Sequence, residues 1–369
     1  MSSTLLRQNI SGNSPDIYEG SYKDIFTYVN FNFSVFWKFR STSNVGRPKP
    51  PAHALFAALV LKNLALNSSF RTTEAMIAQD PELAEILGFG PKYRPSDSAL
   101  RRFFAQLELE DIRVVQAQLL EELRALGYAQ GRIIALDSTP IEAHCRPATK
   151  KGPPPKDPDA KWNIAKCKSG WYFGYKAQVV VDAEDYLPLY DITTPADTSD
   201  LKMVKPFIKP LKSRGYRPER ALLDAGYDSG ENHIALREGL GAISQICPNK
   251  RGSKKKYSTK PLKKYKKLLY QTTLDRFIPR VKREKEYRKC CLVLHATPEY
   301  KKFYWKRVAS EQQFATLKKD LFLEAHKLMT LKNLQKHVAL KCLCMLVIAL
   351  AALRMGLPEA MRSPKYFQH

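Results

Sequence analysis

Several things are scarce or missing in this 369-residue chain. Its seven cysteines never form a CxxC pair: Cys290 and Cys291 are adjacent, and Cys342 and Cys344 lie inside an apolar run. Neither spacing suits a structural zinc site, so reduced thiols in a cytoplasmic protein are expected. The first residues lack the basic-then-apolar pattern of a secretory leader. The longest apolar run, Cys342 to Leu353, is too short to span a bilayer and predicts a buried helix instead. Acidic residues are the most telling shortage. Asp and Glu number 36 against 61 Lys and Arg, a formal net charge of +25. A folded protein this basic repels itself, and a polyanion relieves that repulsion by releasing counterions from its phosphates. Charge alone leaves two readings open, a nucleic-acid partner or a generically basic protein.

The composition, 44% hydrophobic and 26% charged, supports a folded core of more than one domain. Residues 1–48 are polar and aromatic without clear periodicity and form an N-terminal extension. Residues 49–128 are helical in pattern. Ala52 to Leu64 is apolar nearly all round, as in a buried helix, and Ser98 is placed to cap a helix carrying Leu100, Phe103, Phe104 and Leu107. Asp111 opens another. This region is either a helical DNA-binding domain or a cap that only packs on the main body.

From Arg132 the texture changes to strands. The run Arg132 to Asp137 is apolar and ends in an acid, and a Pro/Gly/Lys loop follows from Arg146 to Asp159. Gly174 to Val181 and Leu187 to Thr194 predict a hairpin. A helix over 200–214, kinked or late because of Pro206 and Pro210, leads to Arg220–Asp224, a second apolar run ending in an acid. A helix near Glu231–Glu238 and a strand near Ala242–Cys247 complete an α/β unit, a mixed sheet with flanking helices, over 129–353. An insertion at about 249–300 interrupts it, and residues 354–369 form a tail. Between Lys250 and Lys289 there are 17 Lys/Arg and three acids, with tyrosines interleaved. The cluster Lys254, Lys255, Lys256, Lys263 and Lys264 is read as a DNA contact, with a solvated surface loop as the alternative.

Acids that end strands of an open α/β sheet face a cleft, and two that converge repel unless a cation lies between them. Asp137 and Asp224 are such a pair. A third acid comes from the segment Tyr304 to Lys318. Drawn as one helix of about 100° per residue, it places Tyr304, Arg307, Glu311 and Lys318 in a stripe about 60° wide. Phe303, Phe314, Leu317 and Leu321 form a neighbouring apolar face. The plainer alternative is a surface stripe in which Arg307 pairs with Glu311 four residues on. If the acids do converge, they suit Mg²⁺, which takes oxygen ligands, and the cations and phenol suit flanking phosphates.

His144, close after Asp137, is a poor ligand for a hard cation and is read as structural. Asp228 is read as a turn or helix cap, and Ser138 lacks the G-x-S-x-G elbow of a serine nucleophile.

The segment Tyr304 to Lys318 matches Y-x2-R-x3-E-x6-K at every position, and in this it resembles one large group of bacterial insertion-sequence DDE transposases. Ile134–Thr139 is similar to that family's first catalytic block and Leu222–Ser229 to its second, while Pro51–Leu107 resembles its helical N-terminal region. The resemblance implies a ribonuclease-H-like catalytic fold with an insertion after its fifth strand. It implies that Asp137, Asp224 and Glu311 are catalytic and bind Mg²⁺ or Mn²⁺, two ions in all, and that Tyr304, Arg307 and Lys318 contact the DNA backbone. It further implies double-stranded DNA partners (terminal inverted repeats and target), a homodimer in the synaptic complex, no membrane, and a cytoplasmic, nucleoid-associated protein. The alternatives are a metal-dependent nuclease of the same fold and an inactive DNA-binding relic.

Overall fold

The computed structural model describes residues 20–39, 49–66, 69–90, 93–147, 153–165, 168, 170–249 and 279–368. The lysine cluster Lys254, Lys255, Lys256, Lys263 and Lys264 lies outside them. Helices come first: α1 (Tyr22–Tyr28), α2 (Ala52–Leu64), α3 (Phe70–Gln79), α4 (Pro81–Ile86), α5 (Asp97–Gln106) and α6 (Leu109–Ala125). Helix α5 is capped by Ser96, which accepts from the Ala99 amide, and so starts ahead of the predicted Ser98. Ser98 instead bonds the Ser96 hydroxyl. Asp111 does not open α6 either; it sits at the third helical position and accepts from the Glu108 amide in a reciprocal cap.

The six strands are β1 (Ile133–Glu142), β2 (Lys161–Ala165), β3 (Gly170–Asp182), β4 (Pro188–Pro195), β5 (Arg220–Leu223) and β6 (Ile243–Ile246). Their order is β2-β3-β1-β5-β6, with β4 also pairing β3. The β3–β4 pair is the predicted hairpin. Strand β1 is antiparallel to β3 and parallel to β5, which is parallel to β6. Helix α7 (Val204–Ser213) carries Pro210 and, as expected, starts late, behind a short 3-10 turn. Helix α8 (Gly230–Ile234) continues as a π turn. Parallel strands need covered faces, and β5 is buried throughout. This is the mixed sheet with flanking helices, behind a helical N-terminal region, that the ribonuclease-H-like expectation requires.

The insertion's described part contains α9 (Arg280–His295) and α10 (Pro298–Tyr304). Helix α11 (Val308–Lys319) packs on β1 and β3. Helix α12 (Leu331–Arg354) is buried along most of its length against α6, β4 and α2. It has the length and apolar character to cross a membrane but lies inside the fold as a core helix. It begins eleven residues ahead of the apolar run because its polar residues are satisfied internally: Lys336 donates to the Phe104 carbonyl and Lys341 to that of Asn63, both at 2.8 Å. One continuous apolar core joins α1, α2, α5 and α6 to α12 and the sheet.

Candidate active site on two neighbouring parallel strands

In the β1–β5 ladder Leu136 sits opposite Leu223, so Asp137 and Asp224 are the next residues on neighbouring strands. Side chains alternate along a strand. Ile134, Leu136, Ala221 and Leu223 contact α7, which turns Asp137 and Asp224 to the opposite face, where α11 lies. Two carboxylates thus share one sheet edge, on strands about 4.8 Å apart. Asp137 accepts from the Ser138 amide at 2.8 Å, and Asp224 from the Gly226 amide at 2.8 Å.

The third acid arrives from α11, but not along one helix. The segment is interrupted: α10 ends at Tyr304, a 3-10 turn spans Trp305–Arg307, and α11 starts at Val308. The single stripe expected for Tyr304, Arg307, Glu311 and Lys318 therefore does not form, because a 3-10 turn advances about 120° per residue rather than 100°. Arg307 nevertheless reaches across to the strands. Its guanidinium bonds Asp137 at 3.1 Å and also pairs with Glu311, bridging two of the three acids. The Ser310 hydroxyl adds a 3.4 Å contact to Asp137. The Tyr304 phenol donates to the Leu223 carbonyl at 3.2 Å, and its ring stacks on Tyr300 with centroids 4.9 Å apart. Lys318 goes elsewhere: it pairs with Glu324 at 2.6 Å, and Glu324 also pairs with Lys168.

The charges at this edge are poised. Burial, reinforced by Asp224 and Glu311, pushes the Asp137 carboxyl up to about 6 despite the opposing Ser138 amide and Arg307. Burial, and the charge of Asp200, also raise Asp224. Burial pulls on Arg307 in the other direction, but Asp137, Tyr304 and Glu311 prevail and hold it above its ordinary value.

Asp200 was not singled out from the sequence. Lys176 and Gln178 of β3 bond its carboxylate at 2.9 and 2.8 Å, and Gln178 accepts from the buried Tyr227 hydroxyl at 2.6 Å. A Cβ on Gly226 would lie 3.0 Å from Asp224 Oδ1 and 3.7 Å from Asp200 Oδ2, so the two carboxylates flank that glycine. The available signal was a polar pair, Lys176 and Gln178, on one face of an otherwise apolar strand. Asp228 ends the 3-10 turn Ala225–Tyr227 as its C-cap, as expected, and its side chain does more. Its carboxylate, 3% exposed, accepts from the Asn249 amide at 2.9 Å and from Arg288 at 2.8 Å, tying α9 to the turn after β5. Its pKa stays low although burial opposes this, because His233, Arg288 and the Asn249 amide all favour the carboxylate. His144 is exposed, away from these contacts.

Among the described residues no group of three or more His, Cys, Asp or Glu side chains is arranged as a metal ligand set. Asp137, Asp224 and Glu311 supply hard oxygen donors, and Arg307 provides the positive charge between two of them. Asp137 in the middle of β1 and Asp224 directly after β5, beside a helix carrying Glu311, are an arrangement that fits an enzyme acting on DNA. Residues 128–347 match the family described as Transposase DDE domain, and the chain belongs to that family. No curated protein and no solved structure matches the chain.

Proposed function

We propose that the protein is a transposase that cuts at the ends of its element and joins the freed 3′-hydroxyls to target DNA, with Asp137, Asp224 and Glu311 as catalytic residues. The observation that carries this reading is the register of Asp137 and Asp224 on adjacent parallel strands, with Arg307 bridging Asp137 to Glu311. The donor set fits Mg²⁺ or Mn²⁺. All three are carboxylates, and Asp137, raised mainly by burial and further by Asp224 and Glu311, is a site where a cation would favour the charged form. When bound, such ions activate the attacking water or hydroxyl and stabilise the leaving oxygen.

The chain's own residues do the rest. Arg307 exchanges a carboxylate for a phosphate beside the scissile bond, and its planar fork suits either partner. Tyr304, held on the end of β5, keeps that strand end and its aspartate in place. Lys318 is on α11 and can turn from Glu324 to the DNA backbone. Cleavage and joining of two ends require a synaptic homodimer.

The test is a strand-transfer assay with end-bearing duplex from the gene's own flanks, in Mg²⁺, Mn²⁺ or EDTA, for wild type and Glu311→Gln. Metal-dependent joined products, lost in the variant with DNA binding intact, are expected. Cleavage without joining makes the protein a nuclease of this fold, and binding alone makes it a relic.

A further inference from the structure

Strand β3 runs past the end of β1. Glu142 pairs Gly174, the Ala143 amide still donates to the Phe173 carbonyl, and beyond that point β3 continues to Gly170 along β2. Because β3 is antiparallel to β1, this two-stranded ribbon projects from the edge where Asp137 and Asp224 lie. Trp162 faces Phe173 across the ribbon and Ile164 faces Trp171, so all four share one side. Phe173 is buried beneath Trp162, ring centroids 5.5 Å apart. The other three are exposed, Trp162 by 43%, Ile164 by 58% and Trp171 by 68%. Large apolar side chains gathered on one protruding face mark a binding surface.

The surrounding charge identifies the occupant. Asp157 and Asp159, the acids just before the ribbon, are turned inward and accept from the amides of Thr330 and Leu331 at the start of α12. Glu142 is engaged by Lys168. Arg146, Lys156 and Lys161 remain on the surface. Lys161, next to Trp162 along β2, brings an exposed cation to the ribbon, and an aromatic ridge on it fits nucleic acid, where indoles stack on bases and apolar wedges enter base steps.

We infer that the Trp162–Ile164–Trp171 ridge is a second DNA contact, a wedge that touches bases at a distance from the cleaved phosphate. The inference rests on the transposase reading. Trp171 lies eight residues along β3 from the level of Asp137, about 26 Å at about 3.3 Å per residue. That is about eight base-pair steps at about 3.4 Å each.

The experiment uses the full chain in EDTA, where no cleavage occurs, with end-bearing duplex and with the same duplex carrying 2-aminopurine at successive positions. Trp171→Ala and Trp162→Ala are expected to bind about 10-fold to 100-fold more weakly. The salt slope should be unchanged, because no phosphate contact is removed. The fluorescence change of 2-aminopurine about eight steps from the cut should vanish, and Trp171→Phe should restore it. Equal affinity and an equal fluorescence change in wild type and variants overturn the ridge alone. So does a wild-type dimer, formed without DNA, that Trp171→Ala dissociates, since the ridge then contacts a second copy. A wild type that binds no duplex overturns the transposase reading as well.

Discussion

Two arginine–aspartate pairs in this molecule use the same chemistry for opposite ends. Arg113, from α6, meets Asp191, from β4, where side chains are 6% and 1% exposed. Its guanidinium bonds both carboxylate oxygens, the Asp191 carbonyl and Gln116, and lies 4.4 Å from the centre of the Tyr190 ring. Asp191 answers Arg113 at close range, while the Arg113 Nε has no partner among the described residues and the Arg214 guanidinium lies 4.7 Å from the same Tyr190 ring, so no excess of negative charge builds up. At the strand edge, Arg307 serves both Asp137 and Glu311 while Asp224 stands beside them. Asp137 feels the charges of Asp224 and Glu311 as well as that of Arg307, and on the proposed reading that excess of negative charge is what a second cation would answer. A buried charge pair ties elements together when it balances, and it becomes a candidate site when it does not.

Breaking each pair should therefore give opposite results, and these are the largest effects expected. Asp191→Ala strands the Arg113 charge in the core and should destabilise the protein by about 3–5 kcal/mol, read by urea denaturation. Asp137→Asn relieves crowding among acids, so the metal-free protein should be as stable as wild type or more so. Cleavage, however, should fall below detection. A strongly destabilised Asp137→Asn would make this edge a structural ion pair like the first and end the contrast.

Only the open edge of that contrast was legible in the sequence, since Arg113 and Asp191 are 78 residues apart and only the fold pairs them. Asp137 and Asp224 could be found because each follows a short apolar run, but the first run does not end its strand: β1 continues through Asp137 to Glu142, held by its pairing with β3. Arg307 with Glu311 was visible as an i,i+4 pair. The direction of Lys318 was not, because its partner Glu324 lies beyond α11 in a turn whose geometry no periodicity reports. Helix α1 and the 3-10 turn Ser34–Phe39 were missed for a related reason. Phe26 of α1, Phe36 of the turn and Phe31 between them pack as a cluster of rings with Phe56, and too few apolar positions repeat to show a period. Strand β2 was missed because it carries only five residues behind a Pro-rich loop. Asp200 was hidden by its neighbours: an Asp after Ser199 at a helix start reads as a cap, and only the fold brings Lys176 and Gln178 to it.

Proton and metal should compete at the open edge and not at the Arg113–Asp191 pair. Asp137 titrates near 6 in the native state, above the ordinary carboxylate range. Between about pH 4 and pH 6 the native state therefore holds more protons than the unfolded chain, and this group's contribution to stability falls as pH rises through that window. The metal-free wild type should gain stability as pH drops from 7 towards 5, and Asp137→Asn should lack that component. Mg²⁺ should raise the melting temperature by a few degrees at pH 7.5 and by less at pH 5.5, where protonated carboxylates are poorer ligands. Thermal melts of both proteins at the two pH values, with Mg²⁺ or EDTA, decide the point. An identical pH slope in wild type and Asp137→Asn would remove Asp137 as the titrating group.

The smallest expected effect sharpens the comparison by asking whether the open edge includes a fourth acid. Asp200 flanks Gly226 opposite Asp224 and raises the pKa of Asp224, yet it is bonded by Lys176, so much of its charge is already answered. Asp200→Asn keeps a hydrogen-bonding side chain for Lys176 and Gln178 while removing the charge. If Asp200 only positions the loop after β5, the melting temperature should drop and the Mg²⁺ dependence of cleavage should stay as it was. If its charge helps to draw a cation, half-maximal cleavage should need about 3-fold to 10-fold more Mg²⁺ at unchanged stability, as expected for one partly screened charge near the site. Asp200→Glu should recover most of that loss, because it restores the charge even where the hydrogen bonds are imperfect. Arg113 and Asp191 provide the control: conservative changes in a balanced pair should alter stability and leave the Mg²⁺ requirement untouched.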